Sequence, residues 1–346
     1  MVGQGTLEAL DQTDSAEDRR VPEWLVLVGY FVGVMVLGAA LTPVLHGFGQ
    51  WIKATLADSP SLENPIIGDL YKSVARSPFT RFFDRSILIA AVVLLWPALR
   101  LLRLRGGMRA LGIEPNPRRW VHWGFGFCLA AGGLLALGHL LSVLGWFRLE
   151  EGISGLSKLW IAPLLTGVCV AVIEEFLFRG GMLGLLRRSM GTVAAVVVLT
   201  SLFAVVHFME APEGFAIAPD EVRWSSGFAL LGLMLGHLGD LDVLIGQLLT
   251  LFMVGLALAL IRLRSRSLWM PMGLHAGWVF GIQLHSALMD PTRPTRMGEH
   301  LPLMGHDLKT GLLPLIVVVA TWFVADLYLR WDGSTKKAQP DPEGQS

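Results

Sequence analysis

Residues 160–186 read WIAPLLTGVCVAVIEEFLFRGGMLGLL, an apolar run interrupted by three charges, Glu174, Glu175 and Arg179. About 20 apolar residues cross the roughly 30 Å hydrocarbon core of a bilayer, so the run predicts a transmembrane helix. Each charge at mid-membrane costs on the order of 3 kcal/mol on insertion-derived scales. Three together are carried only if they pair, face a wet cavity, or do chemistry. The segment therefore decides both the fold class and where function is to be sought.

The rest of the chain has the same character. Of 346 residues, 53% are apolar and only 16% charged, against about 25% charged in soluble domains. Eight spans are expected: Trp24–Leu45, Ile87–Leu102, Trp120–Leu144, Trp160–Leu186, Val193–Phe208, Val243–Leu263, Leu268–Leu288 and Leu312–Leu329. Several open on a tryptophan, the residue that favours the water–lipid boundary. The expected fold is an all-α polytopic membrane protein, a bundle of about eight transmembrane helices around an intramembrane polar cavity. A further apolar stretch, Phe228–Leu238, is short for a span and reads as re-entrant or interfacial.

Residues 1–22 read as a polar, disordered arm without a cleavable leader, 23–331 as one transmembrane domain, and 332–346 as a disordered tail. The compact basic loops 100–119, 187–188 and 262–266 fall on the same side as both termini. The positive-inside tendency then places the termini in the cytoplasm, and the expected location is the bacterial inner membrane. The loop 47–84 interleaves Lys72, Arg76 and Arg81 with Val74, Phe79, Phe82 and Phe83, a pattern suited to lying on the membrane surface. Lysine plus arginine equals aspartate plus glutamate at 28 each, so no basic surface argues for nucleic acid. The expected partners are membrane lipid and a peptide or membrane-protein substrate. Cys128 and Cys169 both lie in apolar runs and read as small buried hydrophobes.

On a helix, Glu175 and Arg179 are neighbours at i,i+4 with the acid first, the better order for an ion pair. Glu174 is turned from Arg179 by about 140°, so the arginine serves one carboxylate and leaves the other. The bland alternative is a structural knot of all three charges. His207 closes the fifth span, with Phe203 on its face at i,i+4, and His275 lies early in the seventh. A lone intramembrane histidine is usually an interhelical hydrogen-bonding group, but two with an unserved glutamate suit hydrolysis of a peptide bond by activated water. The same trio, Glu174, His207 and His275, would be the candidate ligands if zinc is used, although His-Glu-x-x-His is absent. His139 and His285 have nothing to distinguish them. The Gly152-Ile-Ser154-Gly155 tetrad lies ahead of its span and is taken as chance, and Gly239-Asp240 lacks a second intramembrane aspartate.

Taken in order, Glu-Glu-x-x-x-Arg (Glu174, Glu175, Arg179), Phe-x-x-x-His (Phe203, His207) and the third-motif histidine (His275) resemble the CAAX prenyl protease and bacteriocin-processing (CPBP, Abi) family of glutamic-type intramembrane endopeptidases. The resemblance covers about residues 160–288. It implies that Glu174 is the general base acting with His207, that Glu175 and Arg179 support it, and that His275 steadies the oxyanion, with no cofactor required. The third motif departs from the family: Val279 stands where asparagine or aspartate is usual, and Gln283, one turn on, is the nearest replacement donor. Two other readings remain open: a non-catalytic scaffold or self-immunity protein of the same fold, and a proton-relay or transport protein.

Overall fold

The computed structural model describes residues 22–101, 115–150, 157–208, 211–212, 214–237, 241–291, 308–309 and 311–333. The expectations for the N-terminal arm before residue 22, the tail after 333, the Gly152–Gly155 tetrad, Gly239-Asp240 and most of the 100–119 loop lie outside those residues. The described chain is helical almost throughout: α1 Glu23–Leu56, α2 Pro65–Ala75, α3 Phe79–Leu101, α4 Arg119–Val143, α5 Ala162–Glu174, α6 Leu183–Met190, α7 Thr192–Phe208, α8 Ser226–His237, α9 Leu241–Ser265, α10 Trp269–Leu288 and α11 Leu312–Asp332. A π-helical turn, Glu175–Met182, joins α5 to α6 into one long rod. The chain is an integral, multi-pass membrane protein: six helices are long and apolar enough to cross a bilayer, with shorter apolar helices beside them.

Each of the eight expected spans has a helix, but they are not equivalent. α7 has 17 residues, and α10 lacks the apolar content of the six. The reason for α10 is its position. It packs along α4 on one side and α5 on the other, and 13 of its residues are buried, Met270 through Trp278 among them. A helix sheathed in protein has no lipid contact to satisfy, so glycines, histidines and a glutamine are admissible there.

Glycines set the close approach. A Cβ on Gly273 would collide with the Trp123 carbonyl, and one on Gly277 with the Phe127 carbonyl and with Ala130. Gly281 continues the row against Leu134. This Gly-x-x-x-Gly-x-x-x-Gly face seats α10 on the backbone of α4. On the other side Gly167 of α5 faces the Ala276 carbonyl, which a Cβ would meet at 2.7 Å. Two residues from Gly273 and Gly277, and therefore on the opposite face at about 100° per residue, stands His275.

A second group assembles on the N-terminal helices. α1 runs 34 residues, beyond the expected end at Leu45, and packs on α3, which starts at Phe79 rather than Ile87. Phe79 and Phe83, expected on a membrane surface, are buried with Ala39, Leu230 and Met234, and Phe82 is buried beside them. Their aromatic faces are taken up by α1 and α8, a tertiary preference that the local amphipathic pattern does not encode. Residues 228–237 of that stretch lie in α8, whose 12 described residues reach about 18 Å, short of the hydrocarbon core. It lies along α1 with Gly227 against the Ala39 carbonyl. The two cysteines are exposed, not buried, which corrects the expectation from their apolar runs. Both lie on spanning helices, and there an apolar neighbourhood in sequence fits lipid as well as core. A short antiparallel ribbon, Phe147–Leu149 with Met289–Pro291, clips the ends of α4 and α10 together.

Candidate active site

The charged residues of the opening segment sit where the rod changes its winding. Leu183 donates its amide to the carbonyl of Phe178, five residues back, the hydrogen bond of a π turn. Such insertions in α-helices are frequent at functional sites because they reset the direction of the side chains around them. Here the turn begins at Glu175, and Gly180-Gly181 lie within it.

Glu175 and Arg179 are completely buried and joined at 2.9 Å through Nη1 and Oε1. Arg179 Nη2 donates to the Gly255 carbonyl of α9 at 3.1 Å, and the guanidinium lies 4.4 Å from the centre of the Phe203 ring. This cation is thus held by a carboxylate, a carbonyl and an aromatic face, contributed by three helices. Glu175 Oε1 also accepts from His275 Nδ1 at 2.9 Å. That bond fixes the ring of His275 and turns its Nε2 towards Glu174 Oε2, 3.8 Å away. At that separation Nε2 is not hydrogen-bonded to Glu174.

Glu174 has different company. Its Oε2 lies 3.1 Å from His207 Nε2. On the far side of the imidazole, Nδ1 is 2.9 Å from the Phe203 carbonyl. A carbonyl only accepts, so Nδ1 carries a proton, and the tautomer of a neutral His207 would put a lone pair at Nε2 facing a carboxylate. Two lone pairs at 3.1 Å repel, and one proton held between the ring and Glu174 removes the conflict. Phe203 stacks obliquely on the ring with centroids 4.1 Å apart. The site is graded in access: side-chain exposure is 23% for His207 and 11% for Glu174, and none for Glu175 and Arg179.

The structure therefore brings together all six residues singled out in the sequence. Glu174, His207 and His275 meet from α5, α7 and α10, and Glu175, Arg179 and Phe203 stand behind them. One expectation needs correction. Glu174 is not free of partners, since its Oε2 faces two imidazoles, His207 at 3.1 Å and His275 at 3.8 Å. Three features were missed: the π turn, the Gly255 carbonyl, and the hydrogen bond that ties His275 to Glu175. Of these only the Gly180-Gly181 pair left a trace in sequence. Val279 and Gln283 are half-buried on α10, one and two turns past His275, while His139 is exposed and His285 is buried against Phe147 at 4.5 Å. Among the described residues no three His, Cys, Asp or Glu side chains are arranged to hold a metal ion, so the zinc alternative finds no ready-made ligand set.

Residues 156–281 match the type II CAAX prenyl endopeptidase Rce1-like family. The segment is similar to that family over this range. It begins just before α5 and ends within α10, so it takes in every residue of the site, in agreement with the CPBP resemblance drawn from the three motifs. The helices α1–α4 and α11 lie outside the matched Rce1-like domain. No curated protein and no solved structure matches the chain.

Proposed function

We propose that the protein is an intramembrane endopeptidase that hydrolyses a peptide bond with water activated by Glu174 and His207. The observation that carries the reading is the Glu174–His207 contact at 3.1 Å, with the imidazole pinned by the Phe203 carbonyl. A base needs a carboxylate within reach of a water and a partner that fixes where the proton goes. With the shared proton on His207, Glu174 takes a proton from water as the oxygen adds to the scissile carbonyl carbon. In this scheme His275 acts as the imidazolium, donating Nδ1–H to Glu175 and Nε2–H to the developing oxyanion. Collapse of the tetrahedral intermediate breaks the C–N bond, and the proton on Glu174 passes to the leaving amine. Glu175 and Arg179 make no contact with substrate in this scheme, and their part is to hold His275. The substrate class suggested by the family is a peptide or membrane-protein segment presented at the bilayer, C-terminal prenylated peptides being the class in the family's name.

The test is cleavage of a reporter peptide library in liposomes by the full chain. Glu174→Ala and His207→Ala should each lower turnover by at least the 10²–10⁴ that a general base contributes, with thermal unfolding close to wild type. Wild-type turnover in both variants ends the proposal. A chelator added to the same assay should leave the rate unchanged, and its loss on chelation with recovery on adding zinc would move the chemistry to a metal.

Val279 favours a second reading, a non-catalytic membrane scaffold or self-immunity protein. Valine offers no donor, and removal of one oxyanion donor typically costs 10²–10³ in rate. Under the enzymatic reading Val279→Asn raises turnover of a cleaved peptide. Under the scaffold reading no peptide is cleaved by either form, and a binding partner is retained by Glu174→Gln.

A further inference from the structure

The site just described leaves unused a second cluster of buried and exposed charge, where α9 and α11 end. Asp326 is buried, and each of its oxygens is taken by a different arginine: Oδ1 by Arg264 Nε at 2.9 Å, Oδ2 by Arg330 Nε at 2.7 Å. Both guanidinium groups spend only Nε on this carboxylate, which splays them apart and leaves their paired Nη donors uncommitted to it. Their side chains are 42% and 60% exposed. A third cation, Arg266, lines the same cleft. It is the one non-glycine residue with positive φ among those described, at 49°. Left-handed backbone costs a non-glycine residue roughly 1–2 kcal/mol, and such strain clusters where the surroundings hold a side chain in a required place.

The cleft has a volume of about 550 Å³. Three cations and one carboxylate line it, together with the apolar Leu260, Leu263 and Trp322. Trp322 lies eight residues before Arg330, about 12 Å along the helix, and its Nε1 is buried with no hydrogen-bond partner among the described residues. Both helices are membrane spans, and Arg264, Arg266 and Arg330 lie in or just past their last turns, where headgroups are found. Trp331, 83% exposed, marks the boundary beside it.

We propose that this cleft binds the headgroup of an anionic phospholipid, with the phosphate between Arg264, Arg330 and Arg266 and the glycerol end against Leu263 and Trp322. Guanidinium groups with paired donors match phosphate oxygens in forked geometry. The net charge of the lining is positive although the whole chain carries none, so the site selects anionic over zwitterionic lipid. The apolar side chains in the lining are what a soluble anion would not use.

Native mass spectrometry of the full chain, released from detergent with phosphatidylglycerol or phosphatidylcholine, tests this. Phosphatidylglycerol should be retained and phosphatidylcholine not. Each arginine near an anionic lipid surface is worth about fivefold in affinity, so Arg266→Gln should lower retention about fivefold and Arg264→Gln/Arg330→Gln further. Arg266→Gln leaves both Asp326 pairs intact, so it decides the matter even if the double variant fails to fold. Equal retention of the two lipids, unchanged retention in Arg266→Gln, or full displacement by excess inorganic phosphate would each overturn the lipid assignment.

Discussion

α10 and α11 are both helices of about six turns and were read from sequence as spans of the same kind, yet they solve opposite problems. α11 meets the lipid: only six of its 21 residues are buried, and Ile316 and Phe323 stand more than half exposed. α10 meets protein: 13 of its 20 residues are buried, and its surface is cut away by glycine so that α4 and α5 close on it. The difference explains where a membrane protein can afford titratable groups. His275 sits in the first half of α10, and its cost of burial is met by Glu175 from the neighbouring rod. The same histidine on α11 would face hydrocarbon.

The comparison breaks most severely at the ion pair that α10 leans on. Arg179→Ala removes the cation from a wholly buried pair and, among the described residues, leaves the Glu175 carboxylate with only His275 Nδ1 as a hydrogen-bond donor. Loss of one partner of a buried pair costs about 3–5 kcal/mol. The expected outcome is a large drop in thermal stability together with loss of function, read by detergent-solubilised unfolding. A variant that unfolds at the wild-type temperature would mean that Arg179 is not the counter-charge of the site.

How much of this was open to sequence reasoning depends on the range of the interaction. The Glu175–Arg179 pair follows from i,i+4 spacing, and so does the turning away of Glu174, because both are properties of one helix. The convergence of α5, α7 and α10 was legible only through the order of three motifs, since nothing in the spacing of Glu174, His207 and His275 measures the distances between them. The winding change at Glu175 was invisible because a π turn is a matter of which carbonyl an amide selects. The cysteines and Phe79, Phe82 and Phe83 failed in opposite directions for one reason. An apolar side chain is equally content against lipid or against protein, and hydropathy does not say which. α10 shows the converse: its modest hydropathy is the mark of a helix shielded from lipid.

A milder break is to swell the glycine face. Gly277→Val places a branched side chain where even a Cβ meets the Phe127 carbonyl and approaches Ala130 Cβ at 2.9 Å. Backbone cannot yield as a side-chain tip does, so α10 must move off α4, at the 1–3 kcal/mol typical of overpacking. His275 moves with it. The predicted signature is a turnover loss larger than the loss of stability alone explains. Retained turnover at unchanged stability would show that α10 tolerates displacement and that His275 need not be held to its present position.

The smallest effect belongs to the other helix. Ile316 on α11 is 62% exposed and lies on a face that meets the membrane. Truncation to alanine there opens no cavity in the protein, because lipid chains flow into the space that the side chain leaves. Substitutions away from packed features change stability within about 0.5 kcal/mol, and Ile316→Ala should fall inside that window, with turnover unchanged. The contrast with Gly277→Val inverts the usual rule of cores, in which removal of bulk destabilises: here adding three carbons to glycine does more harm than taking three from isoleucine. Paired measurement of the two variants in the same liposomes decides it. If Ile316→Ala destabilises as much as Gly277→Val, then α11 packs against something other than lipid on that face, such as a second copy of the chain, and α10 loses its standing as the sheathed helix of the pair.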